Sequence, residues 1–105
     1  MNEFERSIVE FSKKYAIEEF NRFSSVEFSK LEKLGSEHED YSETENRYIV
    51  TVLMIRSPEY IEEQVKQFSP GSHENVRIFL DHPETLFVLA NEKNVLDSRW
   101  QEEFF

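Results

Sequence analysis

Residues 47–56, RYIVTVLMIR, decide the fold of this chain by the way they are covered. The β-branched residues favour an extended backbone, and both alternating faces are apolar. Such a strand belongs at the centre of a sheet, covered on both sides or by a partner on one. Directly after it, Ser57-Pro58 supplies an N-cap and a first helical position. Ile61, Val65 and Phe68 then line one face of a short helix that stops at Ser69-Pro70-Gly71. Residues 76–80 and 86–90 read as two strands flanking Asp81-His82-Pro83-Glu84, which predicts a hairpin. Asn94 is placed to cap a last helix, with Asp97 near its positive end. Leu96, Trp100 and Phe104 fall on one face of that helix, and Phe105 is left over.

Upstream of the central strand, residues 35–46, GSEHEDYSETEN, form a polar, acidic loop with no apolar period. A loop of this composition is expected to be ordered only by contact with something else. Residues 24–34 carry two patterns at once. Ser24 with Glu27 resembles a capping box, and Phe28, Leu31 and Leu34 recur at helical spacing before Gly35. Val26 and Phe28 alternate with Glu27 and Ser29 as a strand would. The Lys, Glu and Leu content favours helix. The first twenty residues are an amphipathic helix, with Phe4, Ile8, Phe11 and Tyr15 on one stripe and Asn2 and Glu5 as a capping-box pair.

The order is α-(α or β)-β-α-β-β-α. This is an α+β fold, with a small antiparallel or mixed sheet of three to four strands and helices packed against it. If residues 24–34 are a strand, four antiparallel strands result. If they are helical, a three-stranded mixed sheet with a right-handed crossover through residues 58–68 is favoured. The length of 105 residues is that of one domain, 1–105. Ten Phe, four Tyr and one Trp make the 38% apolar fraction bulky enough for a core.

The charge of −10 is the compositional feature that bears on function. Binding to phosphate backbones or anionic membranes needs the opposite sign, whereas a basic partner is attracted. The densest acidic segment holds Glu37, Glu39, Asp40, Glu43 and Glu45, with Tyr41 among them, and no Lys or Arg. With no cysteine, no disulfide or thiolate site forms, and a reducing, cytoplasmic compartment is expected. The acidic start and the lack of an apolar core region argue against a signal peptide.

Catalytic signals are weak. His38, His73 and His82 lie in separate segments without metal-ligand spacing, so no metal and no cofactor is expected. Asp81-His82 is explained by turn formation. Two glycines do not build a phosphate-cradling loop. Two functional readings follow. The first is a non-enzymatic acidic protein that binds a basic protein partner, as an inhibitor, an immunity-type protein or a DNA mimic blocking a nuclease would. Its partner-binding residues are Glu37, Glu39, Asp40, Tyr41, Glu43 and Glu45. The second is a structural or regulatory homodimer whose acidity serves solubility. Its apolar contact comes from the first or last helix, where Phe11, Tyr15, Ile17 and Phe20 widen the stripe.

Overall fold

The structure, a computed structural model, describes residues 1–101. Helix α1 (Glu3–Glu19) is followed by strands β1 (Ser25–Lys33) and β2 (Arg47–Ile55). Helix α2 (Pro58–Val65), a 3-10 turn (Pro70–Ser72) and helix α3 (His73–Asp81) lead to β3 (Glu84–Asn91) and β4 (Val95–Trp100). The strands form one antiparallel sheet in the order β1-β2-β3-β4. The α+β class therefore holds, in its four-stranded antiparallel form.

β2 sits inside the sheet as its double apolar pattern requires. Tyr48, Val50, Val52 and Met54 point to one face and are buried. Opposite them on the same face stand Val26, Phe28 and Leu31 of β1 and Leu86, Val88 and Ala90 of β3. α1 covers this face with Ile8, Val9, Ser12 and Ala16, and its start is closed by the reciprocal Asn2–Glu5 capping box. Phe11, Tyr15, Ile17 and Phe20 pack against the same core, so the extra stripe width belongs to the sheet rather than to a free dimer surface. Tyr15 Oη lies 3.1 Å from Ser98 Oγ on β4.

Three local expectations are corrected. Residues 24–34 form β1, not the favoured helix. Its pairing skips Ser29 between Phe28 and Lys30, and this bulge sets inward Phe28 and Leu31 three residues apart, a step that mimics a helix. Residues 76–80 lie in α3 rather than in a strand, so no hairpin spans Asp81 to Glu84. Their short apolar run packs on α2 instead, where Arg77 bonds Glu62 through Nε and Nη2 at 2.7 and 2.9 Å. That bond draws the Glu62 carboxyl below its usual pKa. Residues 95–100 are strand, not a helix capped by Asn94. The Asn91 side chain accepts from the Lys93 and Asn94 amides, making the β3–β4 turn. Leu96 is the bulged residue there and is exposed, while Trp100 packs edge-on to Phe20 at 4.9 Å. Phe104 and Phe105 lie outside the described residues.

α2 and α3 pack chiefly on each other and project from the sheet. Ser57 caps α2 through the Tyr60 amide, with Pro58 in its first turn. At their base, Arg56 pairs with Glu84 and donates to the carbonyls of Leu80 and His82 at 3.0 and 3.3 Å. The molecule measures 55 × 28 × 20 Å, with a radius of gyration of 16.4 Å. A compact domain of this length has roughly 13 Å, so the hairpin is a true protrusion.

Candidate partner-binding groove

Among the described residues, no helix packs on the sheet face away from α1. Two cross-strand rows run across it: Glu32–Ile49–Leu89–Asp97, and next to it Lys30–Thr51–Phe87–Arg99. Each row has apolar or neutral groups at its centre and charges on the edge strands. At the usual strand spacing, the edge charges of a row stand about 14 Å apart.

The acidic loop folds over one end of this face. It is ordered by contact with the strands, through Arg47 of β2 and Asn91 of β3. Arg47, the first residue of β2, donates through Nε to Glu45 at 2.7 Å and through Nη1 to the Asp40 carbonyl at 3.2 Å. Asn91 of β3 donates to the other Glu45 oxygen at 3.2 Å. Turns are set by the His38 amide on the Gly35 carbonyl at 3.0 Å and the Tyr41 amide on the His38 carbonyl at 3.1 Å. The Asp40 amide donates to His38 Nδ1 at 3.1 Å.

Between loop and sheet lies a groove of about 280 Å³. Ile49, Phe87 and Leu89 form its floor. Glu32, Glu39, Asp40 and Asp97 supply carboxylates around it, with the Arg99 guanidinium among the lining groups and the Glu32 carboxylate paired with the Lys30 ammonium. Arg99 sits 3.7 Å from Glu39 and 3.6 Å from Asp97, both beyond ordinary hydrogen-bond length. It is held loosely, by charge more than by geometry.

The six nominated residues do not line one recess. Glu39 and Asp40 line the groove. Tyr41, Glu43 and Glu45 line a separate recess of about 330 Å³ with Lys33, Arg47 and Glu92. Glu37 turns back to Gly35, its carboxylate oxygens 2.7 Å from where a Cβ on that glycine would stand. Sequence reasoning missed Glu32, Asp97 and Arg99 because both of their strands were read as helix or left open. The apolar outward positions of β2 were the one available signal.

Among the described residues, no three His, Asp or Glu side chains gather as a metal site, and no helix is long and apolar enough to cross a membrane. Comparisons with protein-family models, curated proteins and solved structures found no match for this chain. Its function is read from its own geometry.

Proposed function

We propose that this protein is a non-enzymatic binder of a basic protein partner, taking a lysine or arginine side chain into the groove beneath the acidic loop. The carrying observation is the pairing of an apolar floor with a carboxylate rim. Lysine and arginine have that same division, an aliphatic stem and a cationic head. Arg99, loosely placed between Glu39 and Asp97, already occupies part of the position that an incoming cation would take. The net charge of −10 steers a basic partner from a distance, and the groove gives it a place to dock.

The finer version is an inhibitor or immunity-type protein that covers a basic cleft, such as the nucleic-acid-binding surface of a nuclease, in the cytoplasm. It is supported by the sign of the charge and the absence of cysteine. No cofactor enters this reading. The open groove suits a docked side chain better than a reaction that must exclude water.

The test uses the full chain immobilised in source-cell lysate and eluted with a salt gradient. A basic protein should release at lower salt from the Glu32→Gln/Glu39→Gln/Asp97→Asn variant, and its association should be roughly tenfold slower at low ionic strength. Identical release from both proteins would contradict the proposal.

A further inference from the structure

The two sides of the α2–α3 hairpin are chemically unlike. One carries Arg56, Glu62, Arg77 and Asp81 around Ile61 and Ile78, and Arg77 and Glu62 neutralise each other there. The other is a groove of about 410 Å³ lined by Tyr60, Gln64, Phe68, Asn75, Val76 and Phe79, with Ser72 and Leu80 at its margins. No charged side chain is among these described lining residues. Phe79 is 72% exposed and Phe68 51%. α3 is nine residues long and buries none of them. A helix this short is marginal without tertiary cover.

We propose that this uncharged groove is where a second copy of the chain docks, hairpin against hairpin, as a two-fold homodimer. Three features select a copy over another occupant. A basic partner is drawn to carboxylates, and this groove presents none. The patch also holds both a projecting ring, Phe79, and a recess beside it, the self-complementarity that a two-fold contact demands. Finally, the acidic loop lies at the opposite end of β2. The eight residue steps of that strand separate the two by roughly 26 Å, well past a screening length of about 10 Å in dilute salt. Two chains of charge −10 meeting here keep their acidic loops apart and bring together only the hairpins' own excess of acid, Glu59, Glu62, Glu63, Glu74 and Asp81 against Lys66 and Arg77, which salt screens. Two helical hairpins joined this way make a four-helix layer, and each end of the dimer carries one partner groove.

This inference does not rest on the basic-partner reading. Sedimentation equilibrium of the full chain across the micromolar range tests it. The expected result is a mass twice 12.6 kDa, held or favoured as salt rises. Phe79→Glu and Asn75→Arg should each weaken self-association by roughly 30-fold while the circular dichroism stays that of the parent. Asn75 is exposed and polar, so its variant reports even if Phe79→Glu misfolds. Phe4→Glu, on exposed α1 surface, and the Glu32→Gln/Glu39→Gln/Asp97→Asn variant should dimerise as the parent does. A monomer at every concentration, or a dimer indifferent to both Phe79→Glu and Asn75→Arg, would overturn the proposal.

Discussion

Ser12 stands in the middle of α1, fully buried against the sheet, and its hydroxyl has no hydrogen-bond partner among the described residues. A hydroxyl sealed from water without a partner costs free energy, whereas a methyl at the same place costs none. Ser12→Ala is therefore expected to stabilise the fold by about 1 kcal/mol, seen as a higher urea midpoint with an unchanged slope. A lower midpoint would mean that the hydroxyl is satisfied or that the vacated space matters more. Trp100 shows the reverse case, a residue well provided with neighbours. Phe20 and Phe23 lie 4.9 and 5.5 Å from its ring, and the Arg22 guanidinium stands 5.3 Å above it. Features made by near neighbours were legible in the sequence: the Asn2–Glu5 box and the Ser57-Pro58 start need only a few residues each. The groove acids Glu32 and Asp97 were not, because they meet only through the pairing of four strands.

At the scale of elements, β2 was readable because its alternation is uninterrupted over nine residues, burying every second side chain. β1 was not, because its bulge at Ser29 sets the inward Phe28 and Leu31 three apart, as a helix would. β4 was not, because the four-residue step from Leu96 to Trp100 fits a helical turn as well as two strand periods, and Asn94 before it reads as a cap. α3 was misread because five residues with β-branched and aromatic side chains are too few to separate helix from strand by period. The acidic loop owes its order to Arg47, whose guanidinium spans Glu45 and the Asp40 carbonyl. Arg47→Ala should free it. Cleavage by a glutamate-specific protease within residues 36–45 is expected to quicken roughly tenfold, since local opening governs such cutting. An unchanged rate would show that Asn91 and the turns hold the loop without Arg47.

At the scale of the whole molecule, the elongated shape separates two kinds of surface. One end carries the carboxylate-rimmed groove and the other the hairpin with its uncharged groove. A net charge of −10 by itself attracts any polycation, so binding alone distinguishes little. Location does. The most direct measurement is a titration of isotope-labelled protein with a short arginine-rich peptide, followed by amide chemical shifts at low and high salt. Shifts concentrated at Glu32, Glu39, Asp40, Ile49, Phe87, Asp97 and Arg99, weakening as salt rises and lost in the Glu32→Gln/Glu39→Gln/Asp97→Asn variant, are the predicted result. Shifts scattered over all acidic surfaces in proportion to their charge, with the groove no different from the rest, would contradict it.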